Sequence, residues 1–375
     1  MAQSTDSDPN DYQSGLQAYL GKNYQQAITY WGKAAAAGNA TAAYNIGVLY
    51  NEGQGVAQDY QKALIWYQKA ADLDNSNAMR NIGLLYAHGL GVQQDYSEAL
   101  AWYQKAATLG NVSAMDYIGG LYQNGQGVAQ DYTQAMSWYQ KAMAMGDADA
   151  MNDIGRLYAL GLGVPQDSQM AFAWSMKAAA LGDSNAMCSI GRIYAEGLGT
   201  PQDYQKAMSW YQSAAALNNS EAMVEIGELY ENGDGVARDY QQAINWYQKA
   251  VAMGNSDAMV CIGLDFANGT GVPQDYERAF IWYRKAVAAG SAPGMNEIGL
   301  LFANGQGLDQ DFSRAIVWFR KAAALGDPDA MYNMGMLYKD GHGVDQDDAQ
   351  AKIWFEKAAQ LGDQRAQSQL ADMPS

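Results

Sequence analysis

The sequence predicts an all-α fold, a right-handed superhelical solenoid of about ten helix–turn–helix repeats. A loop motif Gly-x-Gly-(Val/Thr/Leu)-x-(Gln/Arg)-Asp recurs every 36 residues without insertion or deletion. Another glycine stands six residues before each loop, and a tryptophan stands thirteen residues after its first glycine. A fixed period of this length is typical of repeat proteins, in which stacked units bury a continuous core. The first loop glycines are Gly53, Gly89, Gly125, Gly161, Gly197, Gly233, Gly269, Gly305 and Gly341.

Each repeat opens with an amphipathic helix, which we call helix A. Gly89 is expected to end helix A of the second full repeat, because glycine adopts the left-handed cap conformation without steric cost. The interior Gly83 costs roughly 1 kcal/mol relative to alanine. Its recurrence in every full repeat predicts a close approach by a neighbouring helix. The expected core arc of this helix is Ala78, Met79, Ile82, Gly83, Leu85 and Tyr86.

A second helix, helix B, follows each loop. Asp59 and its equivalents are expected to cap it through their carboxylates. Small alanines should allow close packing, while the Trp66-Tyr67 pair should fill the core between helices. Helix B should end at a glycine in eight repeats, and at Asp74 or Asn218 in the other two.

This pattern resembles the Sel1-like repeat family, a relative of the tetratricopeptide repeat. The resemblance lies in Ile82-Gly83, Leu85-Tyr86, the loop from Gly89 to Tyr96, and the helix B segment from Ala99 to Ala107. It covers about residues 11–362. It implies antiparallel helix pairs in a right-handed superhelix and says little about activity, because one fold serves many functions.

The ends of the chain differ from the repeats between them. Residues 1–10 are expected to be a polar N-terminal tail, and residues 11–40 an atypical first helix pair that lacks the glycine loop. Nine 36-residue repeats should occupy residues 41–362. Residues 363–375 should form a C-terminal cap with a short helix at 365–371.

The composition narrows the class of partner. The net charge of −17 argues against nucleic acid and disfavours an anionic membrane surface. It permits a protein partner with a basic patch. No apolar run reaches the length of a membrane span, so direct membrane insertion is not expected. We expect the protein to be a monomer.

Catalysis has little support in the sequence. His88 and His342 lie seven repeats apart, so they cannot form a clustered metal or nucleophile site. The Gly-x-Gly loops lack the Lys-Ser/Thr that follows a phosphate-binding loop. We therefore predict a protein that is not an enzyme and needs no cofactor or metal.

The variable surface of helix A is the predicted binding site. In this family the arc opposite the core lines a concave groove, and here that arc changes freely from repeat to repeat. An ordinary solvated helix surface is the alternative for any single residue. The candidate protein-binding residues are Tyr44, Asn45, Arg80, Asn81, Asp116, Tyr117, Asn152, Asp153, Arg156, Arg192, Glu225, Glu228, Glu231, Glu297, Tyr332 and Asn333.

A protein-binding scaffold or adaptor is the leading functional hypothesis. More specific versions are a periplasmic immunity protein for a secreted toxic effector such as a lipase, a secreted host-interaction factor, and an envelope signalling regulator. A peptide or small-ligand receptor is the alternative class. The N-terminus shows no signal peptide. It fits a native cytoplasmic start or a mature exported one, and because many bacterial members of the family are exported, we favour a periplasmic or secreted protein.

Three local features carry further expectations. Cys188 and Cys261 lie two repeats apart, too far for a disulfide. In repeat five, Ser168 and Ser175 replace two tyrosines, which predicts altered packing or a notch beside Trp174, with Met170 or Met176 as a possible filler.

The third feature is charge on helix A. Asp265 replaces a core leucine and is expected to be partly exposed at the groove edge. Arg156 and Arg192 should form a positive spot beside an acidic strip of Glu225, Glu228 and Glu231.

Overall fold

The computed structural model describes residues 10–373, which form helices and turns without strands. The predicted tail, apart from Asn10, and the last two residues lie outside the described part. Within residues 10–373 the helices are α1 Asp11–Leu20, α2 Tyr24–Ala36, α3 Ala40–Glu52, α4 Tyr60–Ala71, α5 Ser76–His88, α6 Tyr96–Thr108, α7 Val112–Asn124, α8 Tyr132–Ala144, α9 Ala148–Leu160, α10 Ser168–Ala180, α11 Ser184–Glu196, α12 Tyr204–Ala216, α13 Ser220–Asn232, α14 Tyr240–Ala252, α15 Ser256–Asn268, α16 Tyr276–Ala288, α17 Ala292–Asn304, α18 Phe312–Ala324, α19 Pro328–Asp340, α20 Asp348–Gln360 and α21 Gln364–Asp372.

The chain divides into two compact units, residues 1–186 and 187–375. In unit 1, helices A such as α3 and α5 pack on their own helices B, and each helix B packs on the next helix A. Unit 2 repeats this pattern from α12 onward. There α17, a helix A, also contacts the helices A on either side of it, α15 and α19. Such contacts are expected on the inner side of a locally curved stack.

The predicted caps are confirmed. The Asp95 carboxylate accepts hydrogen bonds from the backbone N–H groups of Ser97 and Glu98, at 2.9 and 3.0 Å. Gly89 ends helix A with φ 66°. Asp74 and Asn218 have φ values of 59° and 62°, the left-handed conformation that glycine adopts at the same place in other repeats. Local sequence therefore determines where most helices begin and end.

The interior glycine of helix A contacts an aromatic ring of helix B. A Cβ at Gly83 would stand 2.4 Å from Cε1 of Tyr103, and one at Gly335 would stand 2.4 Å from Cε1 of Phe355. The expected close approach is thus confirmed. The buried rings in this row are Trp31, Tyr67, Tyr103, Tyr139, Tyr211, Tyr247, Tyr283, Phe319 and Phe355.

The tryptophan before each of these tyrosines is only half-buried, although most of these tryptophans pack against the core, so the expectation that both rings fill the core holds in full only for the tyrosine. One residue along a helix turns the side chain by 100°, which moves Trp66 off the arc that Tyr67 occupies. The Lys69 ammonium lies 4.2 Å from the centre of the Trp66 ring. The lysine side chain thereby covers the outer face of the indole.

Repeat five packs differently from the others, as the sequence predicts. No ring lies on Gly155; the nearest atoms to a Cβ there would be the Ala171 carbonyl oxygen at 3.1 Å and Ser175 Oγ at 3.3 Å. Trp174 Nε1 is buried without a hydrogen-bond partner among residues 10–373.

The suggested methionine filling is wrong, since Met170 and Met176 are 38% and 37% exposed. They occupy positions that hold polar residues in most repeats, such as Lys62 and Gln68, on the outer side of helix B. Neither side chain can therefore reach the core beside Trp174.

Asp265 is buried rather than partly exposed, with 3% of its surface accessible, so that expectation is wrong. It follows Ile262 and Gly263 on the core arc of α15, and packing of the neighbouring helices covers it despite its charge. Burial, together with the nearby Glu231, raises the pKa of Asp265 to about 7. A carboxyl group, whose burial is unfavourable, therefore occupies a core position that holds leucine in most repeats.

Candidate binding groove

The predicted site residues all lie on helices A, and most of them are half-buried. Arg156, Arg192 and Glu228 are exposed, whereas Asn152 is buried. Within each unit, the predicted site residues stand at equivalent positions of successive helices A. We call the row that these positions form the groove row of that unit. The groove row therefore combines reachable charged groups with side chains that are partly covered by their neighbours.

Unit 1 contains a cavity of about 330 Å³ in its groove row, which we call the Gly120 cavity. A Cβ at Gly120 would meet only the Tyr139 hydroxyl, 3.9 Å away. The equivalent residues of the neighbouring repeats are Leu84 and Arg156, whose side chains are large. The residues that line the cavity include Tyr103, Asp116, Tyr117, Gly120, Tyr139 and Asp153.

Two carboxyl groups line the Gly120 cavity in different electrostatic settings. Burial, followed by the nearby Asp153 and Asp147, raises the pKa of Asp116 to about 8. Burial also raises the pKa of Asp153, but Arg156 opposes that effect and the pKa is about 6. Asp116 is consequently the carboxyl that would gain more from a nearby positive charge.

Unit 2 holds a smaller cavity of about 250 Å³ at the equivalent place, three repeats later. Its lining includes Glu228, Glu231, Tyr247 and Cys261. The Tyr247 hydroxyl donates a hydrogen bond to Glu231 Oε2 at 2.8 Å. A helix B tyrosine therefore lies against a polar group of helix A here, as Tyr139 does against Gln123 at 3.1 Å in unit 1.

Arg156 and Arg192 are each paired with a carboxylate, so the expected positive spot is wrong. Arg156 forms an ion pair of 3.4 Å with Asp153 in its own helix. Arg192 forms one of 3.2 Å with Glu225 of the next helix A. Glu225 also accepts a hydrogen bond from the Tyr211 hydroxyl at 3.2 Å, so the acidic strip is partly compensated.

In the last repeats, some groove side chains are hydrogen-bonded to one another and Tyr332 is covered by the C-terminal helix. Asn333 Nδ2 donates to Asn296 Oδ1 at 2.8 Å, and Asn296 donates to Glu297 at 3.3 Å. Arg365 of α21 lies 4.5 Å from the centre of the Tyr332 ring. The C-terminal helix therefore shields Tyr332, which leaves this predicted site residue less available than its position in the repeat suggests.

Sequence reasoning missed the contribution of helix B to the groove. Tyr103, Tyr139 and Tyr247 were assigned to the core, and their rings are indeed buried. Their hydroxyl ends nevertheless reach the groove cavities. A signal was present in Gly120, because a glycine at a position that otherwise holds larger side chains uncovers the tyrosine beneath it.

The structure of residues 10–373 gives little support for a metal site, a membrane-spanning helix or a disulfide. Among residues 10–373, no three His, Cys, Asp or Glu side chains are grouped so that they could hold a metal ion. No helix in the same part has the length and apolar character needed to cross a membrane. Cys188 and Cys261 are both free thiols, as their separation predicts.

Comparison with known families agrees with the repeat pattern. The sequence model of the Sel1 repeat matches residues 12–39, 40–75, 76–111, 112–147, 148–183, 184–219, 220–255, 261–291, 292–327 and 328–363. The chain belongs to the Sel1 repeat family. The fold is therefore an α-solenoid of Sel1 repeats, and the match includes the short first helix pair. Repeats of this family generally serve as scaffolds that bind other proteins.

Two solved structures are similar to these Sel1 repeats over much of their length. A protective antigen of uropathogenic Escherichia coli is 34% identical, with a TM-score of 0.54 over 99% of this chain and 80% of that one. A Sel1 repeat protein from Oxalobacter formigenes is 39% identical, with a TM-score of 0.59 over 64% of this chain and 99% of that one. Among curated proteins, none matches the chain.

Proposed function

We propose that this protein is a non-catalytic scaffold that binds a partner protein through the groove row of its helices A. The proposal rests on the contrast, within each repeat, between positions that are constant and positions that vary. The glycine, the ring that covers it and the caps recur with little change, whereas the groove positions vary along the chain and include charged and amide groups. Varied side chains on a constant frame are what recognition of one particular surface requires.

The groove offers anchoring points as well as charge. Large, rigid tyrosine side chains with polar ends are favoured in protein interfaces because they lose little conformational entropy on binding. The acidic excess of the chain, −17 overall, favours a partner with a basic surface. A receptor for a peptide is the second candidate, and the two groove cavities of about 330 and 250 Å³ support it.

The more specific roles follow from the family resemblance. A secreted factor that engages a host protein is one, and the similar E. coli protein is a protective antigen. An immunity protein for a secreted effector and an envelope signalling regulator are the others. Each places the protein in the periplasm or outside the cell. Co-purification with the products of neighbouring genes would separate these three roles.

Site-specific photocrosslinking tests the proposed binding face. A photoreactive amino acid replaces Arg156 or Glu228 in the groove rows, or Glu98 or Glu277 on helices B as matched controls; all four side chains are exposed. In cells of the source organism, the groove positions should give one discrete protein adduct and the helix B positions none. Adducts only at Glu98 or Glu277 would assign binding to the other face and overturn the proposal.

A charge reversal tests whether the acidic side chains contribute. Glu228→Lys should weaken binding of the crosslinked partner about tenfold at low salt and less at high salt, because exposed charges act mainly through screened long-range attraction. Glu277→Lys makes the same change in net charge on helix B and should leave the affinity unchanged. Equal losses from both variants would mean that only net charge matters.

A further inference from the structure

The Gly120 cavity is a local departure from the repeat. Leu84 and Arg156 occupy the equivalent positions before and after it, so the gap arises from one missing side chain. The position is in the middle of α7, where glycine costs roughly 1 kcal/mol relative to alanine. No tight contact requires glycine there, because the nearest atom to a Cβ would be 3.9 Å away. Packing explains Gly119 next to it, but not Gly120.

The cavity wall contains one carboxyl group, Asp116, that has no positively charged partner within residues 10–373. Asp153 has its partner in Arg156 at 3.4 Å. Asp116 forms no ion pair within residues 10–373, and its Oδ1 atom is shielded from solvent without a hydrogen-bond partner there. A carboxylate in such surroundings is costly unless a positive group or a donor approaches it.

Tyrosine rings form another part of the wall, beside His88 and side chains such as Leu84 and Gln126. Tyr117 packs against Tyr103 with ring centroids 5.3 Å apart, and the Tyr139 hydroxyl lies at the floor. Aromatic faces attract cations, and carboxylates accept hydrogen bonds from ammonium and guanidinium groups. A wall that combines both suits a long basic side chain, whose apolar stem contacts the rings while its charged end reaches the carboxylates.

Building on the scaffold function above, we propose that the Gly120 cavity receives an arginine or lysine side chain of the partner protein. The cavity of unit 2 also combines carboxyl groups with a tyrosine, Glu228, Glu231 and Tyr247, but Glu228 stands there at the position of Gly120. The proposal therefore applies to the Gly120 cavity alone.

Filling the cavity from within tests the proposal without a partner. Gly120→Arg places a guanidinium next to Asp116, and Gly120→Gln is its neutral control. At about pH 9, where Asp116 is ionised, the arginine variant should melt at a higher temperature than the glutamine variant. The difference should disappear when both are combined with Asp116→Asn. Equal melting temperatures in the Asp116 background would overturn the proposal.

A small ligand provides a second measurement on the protein with Gly120 intact. Saturation-transfer NMR with N-acetyl-arginine amide should show transfer to the side-chain methylenes of the probe. Asp116→Asn should reduce the signal about threefold or more, since that variant removes the charge and keeps the shape. N-acetyl-norleucine amide, which is neutral, should give no signal. Retention of Ca²⁺ instead of the arginine probe would overturn the proposal in favour of a metal site.

These experiments separate the cavity from the function of the groove. Adducts at residue 156 without binding of the arginine probe would overturn the cavity proposal alone. Binding of the probe without any groove adduct would overturn the scaffold function through this face and leave a cation-binding cavity.

Discussion

Tyr139 packs directly on Gly119: a Cβ added to that glycine would stand 2.5 Å from Cε1 of the ring. The two residues belong to consecutive helices, α7 and α8, and the same relationship recurs in nearly every repeat. The glycine row and the ring row therefore set the distance between helix A and helix B. The next residue, Gly120, is a control for this contact, because a Cβ added there would have open space around it.

The first prediction uses that pair of glycines. Gly119→Ala should lower the free energy of unfolding by about 1–2 kcal/mol, because a methyl group there overlaps the Tyr139 ring. Gly120→Ala should raise it by about 0.5–1 kcal/mol, because alanine favours the helix and nothing obstructs its methyl group. Urea denaturation of both variants measures the difference, and a gain in stability from Gly119→Ala would contradict the packing.

The second prediction concerns the buried Asp265 carboxyl. Its pKa rises from an ordinary value of 3.8 to about 7 in the folded protein. A raised pKa means that the folded state favours the protonated form, so this group lowers stability as the pH rises from about 4 to 7. The groups near it are Glu231 of α13, Cys261 of its own helix and Tyr283 of α16.

Asp265→Leu should therefore raise the free energy of unfolding, by roughly 2–4 kcal/mol at pH 8 and by much less at pH 5. Asp265→Asn is the control that removes the charge and keeps the polar shape. Thermal melting across this pH range checks the trend. A leucine variant less stable than the native protein at both pH values would show that the carboxyl makes a necessary hydrogen bond.

The third prediction concerns a substitution that would complete the row of lysine–tryptophan contacts on helices B. In the full repeats a lysine lies over the tryptophan three residues before it, with distances of 3.5 Å at Trp246 to 4.6 Å at Trp318. Trp210 is the exception, since Ser213 occupies the lysine position. Ser213→Lys should stabilise the protein by about 0.5 kcal/mol. Ser213→Met offers similar apolar contact without charge, and equal stability of the two variants would argue against a cation–π contribution.

The fourth prediction concerns the thiols. Burial, followed by nearby glutamates, raises the pKa of Cys188 and of Cys261 to about 12. Because the thiolate is the reactive form, a thiol reagent at pH 8 should modify both cysteines slowly in the native protein. The denatured protein should show two rapidly reacting thiols without a reductant. Detection of an intramolecular disulfide would contradict the separation of their helices by two repeats.

The sequence by itself determined the period, the helix boundaries, the caps and the need for a close contact at the interior glycine. The helix boundaries and caps depend on residues within a few positions of one another, whereas the period and the close contact follow from recurrence along the chain. Asp95 caps its own helix, and Gly89 ends the helix in which it stands. The regular spacing also identified the family and assigned the candidate site to helix A, since side chains at intervals of three and four share a helix face.

Only the tertiary structure decided which groups meet across the stack. Arg192 pairs with Glu225 in the next repeat, and neighbouring helices cover Asp265, although its charge led us to expect partial exposure. Gly120 illustrates the same limit, because whether a missing side chain leaves a cavity or lets helices close together depends on the distance between them. That distance is set by the Gly119–Tyr139 contact, which joins residues of different helices, and a helical period describes only the face within one helix.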